Sequence, residues 1–118
     1  MNTVHFCTPD EIQSFIDKGL VDKKTDINEK TVNLAIFRNY ILNYLNNHPK
    51  VNKDLMIMVR QMQPASEGMP LEIYCFSDTP DWIPYEALQS EIFEHVMAMV
   101  QEFNLRIFQR PAGTDFKS

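Results

Sequence analysis

The alternation of apolar and polar positions divides the chain into short period-two runs and longer stripes that repeat every three to four residues. Val4-His5-Phe6-Cys7 reads as a strand. Thr8-Pro9-Asp10-Glu11 then reads as a helix start. Thr8 can accept the amide of residue 11, Pro9 suits the first helical position, and Glu11 can reach back to the Thr8 amide. Ile12, Phe15 and Ile16 give that helix one apolar face, and Gly19 is its stop. Asp26 and Glu29 offer a second capping box. From Val32 through Leu34, Phe37, Tyr40, Ile41, Tyr44 and Leu45 a wide stripe runs at helical spacing toward His48-Pro49. The proline ends that helix, because the residue before it is biased toward extended backbone.

Two strand-sized runs follow, Leu55–Val59 and Leu71–Phe76, separated by a loop punctuated by Pro64, Gly68 and Pro70. In the second run Leu71, Ile73 and Cys75 share one face while Glu72, Tyr74 and Phe76 share the other. Tyr85, Leu88, Ile92, Val96, Val100 and Phe103 then step by three or four along a long amphipathic helix. Leu105–Phe108 reads as a last strand. The order β-α-(α)-β-β-α-β predicts an α+β fold of the ferredoxin-like, split βαβ type: about four strands with helices on one face. The expectation is one domain over residues 1–118, with residues 20–31 linker-like.

Composition narrows the function. With 118 residues, 44% hydrophobic and 23% charged, the chain matches an ordinary globular domain. A net charge of −5, with scattered Lys and Arg, argues against nucleic acid as a partner. Two cysteines are too few for a disulfide framework and predict a reducing compartment. No run approaches the roughly 20 apolar residues of a membrane span, and the first residues lack the pattern of a signal peptide.

Candidate chemistry is sparse. His5 and Cys7 point to one side of their strand, and adjacent first and third strands would bring Cys7 toward Cys75. A zinc site needs about four ligands, however, and neither His48 nor His95 is placed to complete one. Buried thiols on central strands are the expectation. With three glycines the chain has little material for a phosphate loop, and it has no nucleophile elbow. No enzymatic activity, metal or cofactor is expected. Met56 and Met58 occupy the strand face opposite Leu55, Ile57 and Val59, so both faces of that strand are apolar. If helices cover only one face, a neighbouring subunit is a natural cover for the other. Trp82 either packs at the helix–sheet junction, the plainer expectation, or anchors an oligomer contact. Met56, Met58 and Trp82 are therefore the candidate interface residues.

From about Asn33 to Phe116 the chain resembles the C-terminal cytoplasmic domain of bacterial mechanosensitive channels of the small-conductance (MscS) family. It looks closest to the miniconductance branch. The resemblance rests on the order and spacing of FRNYILNYLNNHP (residues 37–49), MVRQMQP (58–64), GMPLEIYCFS (68–77), DWIPYEALQSEIFEHV (81–96) and EFNLRIFQRPAGTDF (102–116). TVHFCTPDEI, near the start, is similar to the family's strand leading into this domain. Asn104 stands where the family usually has Gly, so the turn there must accept a side chain. The stretch between Gly19 and Thr31 is shorter than in many relatives.

The resemblance implies a channel of the bacterial inner membrane, opened by tension, that releases ions and small osmolytes on hypo-osmotic shock. It also implies a homoheptamer whose C-terminal domains form a cytoplasmic cage. The family's membrane helices and middle β-domain are not in this sequence, so the chain is expected to be a cytoplasmic piece of a longer channel. The bare architecture supports one alternative, a free-standing ferredoxin-like regulatory or ligand-binding module.

Overall fold

Helix α1 (Pro9–Asp17) begins and ends where local chemistry dictates. Thr8 Oγ1 accepts the Glu11 amide at 3.2 Å and Glu11 Oε1 accepts the Thr8 amide at 3.0 Å, which closes the capping box. At the other end Gly19, at φ +71°, lets the Leu20 amide reach the Phe15 carbonyl and its own amide reach Ile16. This is the Schellman stop that glycine makes possible. The computed structural model describes residues 4–21, 27, 30–63 and 70–106. The Asp26/Glu29 box, the centre of the loop between the two strands and the Ile107-Phe108 half of the expected last strand lie outside those residues, and the Leu105-Arg106 half is not in a strand.

Helix α2 (Asn33–Asn46) buries the wide stripe, with Leu34, Ile36, Phe37, Ile41 and Leu45 all in the core. Strands β1 (Met58–Gln61) and β2 (Leu71–Tyr74) pair antiparallel, Met58 opposite Tyr74 and Val59 opposite Ile73. Helix α3 (Trp82–Met99) continues into a 3-10 turn, Val100–Phe103. The predicted stripe faces inward, with Leu88, Ile92, Val100 and Phe103 buried. Fully buried Phe103 is the hub, its ring 5.0 Å from Phe37, 5.3 Å from Tyr40 and 5.6 Å from Phe15.

The fold is thus mixed helix and strand, and among the described residues its sheet has two strands. Val4–Cys7 does not enter that sheet. It makes a single antiparallel bridge, Phe6 to Val32, with the Cys7 amide on the Thr31 carbonyl and the Asn33 amide on the His5 carbonyl. Val32 brings no side-chain cap to α2, so the lead-in strand supplies an acceptor for the first helical amide. β1 starts three residues later than the apolar run predicted. Val51 still bridges Ser77, but Asn52 Oδ1 accepts the Asp54 amide at 2.9 Å and turns the chain out of the ladder before Met58 rejoins it.

Two polar networks fix the helices. At one end, fully buried Asn33 accepts the His5 amide at 3.1 Å and donates to the carbonyls of Phe103 (2.9 Å) and Asn104 (3.3 Å). Asn104 adopts φ +58° and donates to Glu11 Oε2 at 2.6 Å, and the His5 ring meets the same carboxylate at 2.8 Å. The non-glycine residue in that turn is therefore accommodated by the side-chain type that best tolerates the left-handed region. At the other end, Tyr40, Tyr44 and His48 rise at i, i+4, i+8 and meet Glu91 and His95, spaced i, i+4 on α3. Tyr40 Oη bonds His95 Nε2 at 2.8 Å, Tyr44 stacks on His95 with centroids 4.0 Å apart, and His48 Nε2 bonds Glu91.

Candidate functional site: the uncovered face of the hairpin

Alternation along the hairpin separates two surfaces. Val59, Leu71, Ile73 and Cys75 turn to the core. Met58, Arg60, Glu72, Tyr74 and Phe76 turn the other way. On that outer face the cross-strand pair Arg60–Glu72 is joined at 2.7 Å, and the rings of Tyr74 and Phe76 meet edge-on at 5.5 Å. Tyr74 and Phe76 remain exposed. The helices are committed to the inner side, where α2 packs against β1.

The apolar surface extends beyond the strands. The turn begun by Asn52 pushes Leu55 and Met56 outward, and Met56 is 59% exposed. Lys53 secures this turn from within, its ammonium group bonding the carbonyls of His48 and, at 2.7 Å, Val51. At the start of α3, Ser77 and Thr79 hydroxyls accept the amides two residues ahead, which sets the direction in which the helix leaves the strand. Trp82 emerges 68% exposed and Ile83 79% exposed. A groove of about 420 Å³ lies beside Trp82, lined by Leu55, Phe76, Pro80, Trp82 and Tyr85 among others.

Of the three residues singled out in the sequence, Met58 lies on the outer strand face opposite Tyr74, Met56 on the projecting turn, and Trp82 at the groove. Trp82 is not packed into the helix–sheet junction; its one described ring neighbour is Tyr85, at 6.2 Å. Ile83 was not anticipated, although the dipeptide Trp82-Ile83 at a helix start was the signal for it.

Residues with catalytic potential are arranged differently. Cys7 is buried, and burial together with the charge of Glu11 pushes its thiol up to about 11. Burial also raises Cys75. Both are free thiols held in the protonated, unreactive form at neutral pH. Among the described residues no cluster of three or more His, Cys, Asp or Glu could hold a metal ion. None of the described helices is long and apolar enough to cross a membrane.

No solved structure matches this chain. The family described as "Mechanosensitive ion channel MscS, C-terminal" matches residues 36–107, a span that takes in most of α2, the hairpin, α3 and the turn after it. That family is one of channel domains and not of enzymes. The chain belongs to the family of C-terminal domains of MscS mechanosensitive ion channels.

Proposed function

We propose that the chain forms part of the wall of a cytoplasmic vestibule beneath the pore of a bacterial inner-membrane channel. The channel opens under membrane tension and releases ions and small osmolytes after hypo-osmotic shock. The observation that carries this reading is the family match over residues 36–107. The assembled channel is a homoheptamer of the miniconductance branch. The surface of Met56, Met58 and Trp82 is then covered by a neighbouring subunit or by the channel's own middle domain. The exposed aromatic and aliphatic side chains there support this role, because tryptophan anchors in apolar grooves dominate protein contacts.

The test is electrical. The full-length protein, expressed in bacteria stripped of their own mechanosensitive channels, is expected to give tension-activated currents in excised patches and to restore survival of an osmotic downshock. Absence of such currents from protein that reaches the membrane would overturn the reading. A photo-crosslinker at position 82 should join subunits far more than one at solvent-facing Glu94; equal yields would remove Trp82 from the contact.

A further inference from the structure

His48 is buried to 6% exposure and stands where α2 passes the chain to the hairpin. Its Nδ1 accepts the Lys50 amide at 3.1 Å, while its Nε2 bonds the Glu91 carboxylate on α3. A ring nitrogen that accepts an N–H carries no proton, so the Lys50 contact selects the neutral ring with its hydrogen on Nε2. A second proton can go only to Nδ1, where it would face the Lys50 N–H directly. The charged ring and this turn cannot both be satisfied.

The surrounding groups pull in opposite directions. Glu91, from α3, favours the charged ring. The Lys50 amide opposes it, as do the Lys50 charge beside Glu91 and the Lys53 ammonium on the His48 carbonyl. Tyr44 of α2 meets the ring edge-on at 5.5 Å, and His95 of α3 is stacked on the far side of Tyr44. Lys50 is also the first rung of the short ladder behind the groove. Its carbonyl accepts the Asp78 amide at 2.9 Å, and the Asn52 amide donates to Phe76 at 2.8 Å.

We propose that His48 is a pH-operated latch: neutral, it holds the corner closed through the Lys50 amide, and a proton on Nδ1 releases that amide and loosens the pairing of residues 50–52 with 76–78. The latch belongs to this chain alone. Its effect on a subunit contact through Leu55, Phe76 and Trp82 rests on the function proposed above.

The experiment is imidazole proton–nitrogen correlation together with amide hydrogen exchange on this chain, from pH 7.5 to pH 5, the range in which imidazoles change charge. The neutral ring is expected to carry its proton on Nε2. As His48 charges, protection of the Asn52 and Asp78 amides should fall together, roughly five- to tenfold, for the loss of one hydrogen bond's contribution. Amides within β1 should keep their protection. The shared midpoint must follow His48 and not His5 or His95. In Glu91→Gln, which still offers an acceptor but no charge, that midpoint moves to lower pH. In His48→Gln the protection is low throughout and independent of pH; if that variant fails to fold, the tautomer of the unsubstituted protein still decides. A proton on Nδ1 at neutral pH, or Asn52 and Asp78 protection that does not change as His48 charges, overturns the proposal.

Discussion

Replacing Asn33 by Ala tests the account of what holds the helices together. Asn33 is fully buried and its side chain joins α2 to two other segments: the lead-in segment through the His5 amide, and the turn after α3 through the carbonyls of Phe103 and Asn104. Truncation removes all three bonds and takes away a donor from the buried Phe103 carbonyl. At about 1 kcal/mol net per bond, with the long 3.3 Å contact counted low and the desolvated carbonyl adding a further fraction, the loss is about 3 kcal/mol. That is a large part of the 5–15 kcal/mol typical of a domain. Urea unfolding followed by far-ultraviolet circular dichroism should show a lower midpoint with an unchanged slope. Asn33→Asp keeps the volume and the acceptor for His5 but cannot donate, and it sets a carboxylate against two carbonyl oxygens. It should be at least as damaging at neutral pH. A loss below about 1 kcal/mol for Asn33→Ala would refute the reasoning, because a buried three-way junction cannot be removed so cheaply.

Three further outcomes follow from the same contacts. Asn104→Gly should lose only the 2.6 Å bond to Glu11, whereas Asn104→Ala should lose about 1 kcal/mol more because a Cβ without a polar tip is strained at φ +58°; equal midpoints in urea would contradict this. Iodoacetamide at pH 8 should modify half-buried Cys75 before Cys7, whose thiol is raised to about 11, and peptide mass mapping would expose a reversed order. In Glu11, burial opposes the charge, but bonds from the Thr8 amide, Asn104 and His5 outweigh it and hold the folded carboxyl below its ordinary range. The sign is therefore that of a depressed acid: its stabilisation is complete above the unfolded value near 4.3 and is lost as pH falls through the lower folded value. Glu11→Gln should flatten the acid side of the urea-midpoint profile, and an unchanged profile would count against the network.

The sequence was legible where the determining contacts are local. The start and stop of α1 are each settled within a few residues, by Thr8 with Glu11 and by Gly19, and both are as expected. The stripes of α2 and α3 were readable because burial on one face imposes a 3.6-residue period. The start of β1 was misplaced because hydrophobicity alone does not register the Asn52 side chain turning the chain outward. The expected strand at Val4–Cys7 is reduced to one isolated bridge, Phe6 to Val32, since strand pairing is a long-range choice. The Asn33 bonds to the turn after α3 span 70 and 71 positions, that to His5 spans 28, and none leaves a local trace. The zipper of Tyr40, Tyr44 and His48 with Glu91 and His95 does leave one: two four-residue repeats of polar aromatic and ionisable groups, one along α2 and just past its end, the other on α3. Within an otherwise apolar stripe, periodicity alone counts the tyrosines as part of the apolar face.

The outer surface of the hairpin sets a limit on how strongly this chain associates by itself. Leu55, Met56, Trp82 and Ile83 are between 48% and 79% exposed. Completing their burial at the usual 1.5–3 kcal/mol for a whole side chain yields about 6 kcal/mol. A ring of copies uses such a patch once per contact, because its interfaces are heterologous. Bringing two proteins together costs roughly 4–15 kcal/mol in lost freedom before any specific contact is counted. The two quantities lie close enough that this patch alone leaves no secure surplus, and a ring of the kind proposed above would need further surface. Sedimentation velocity of the chain at micromolar concentration should therefore show a monomer or a weak, concentration-dependent association, and Trp82→Asp should shift any such association toward monomer. A tight oligomer that Trp82→Asp leaves intact would place the main contact on another face and remove the hairpin from the assembly.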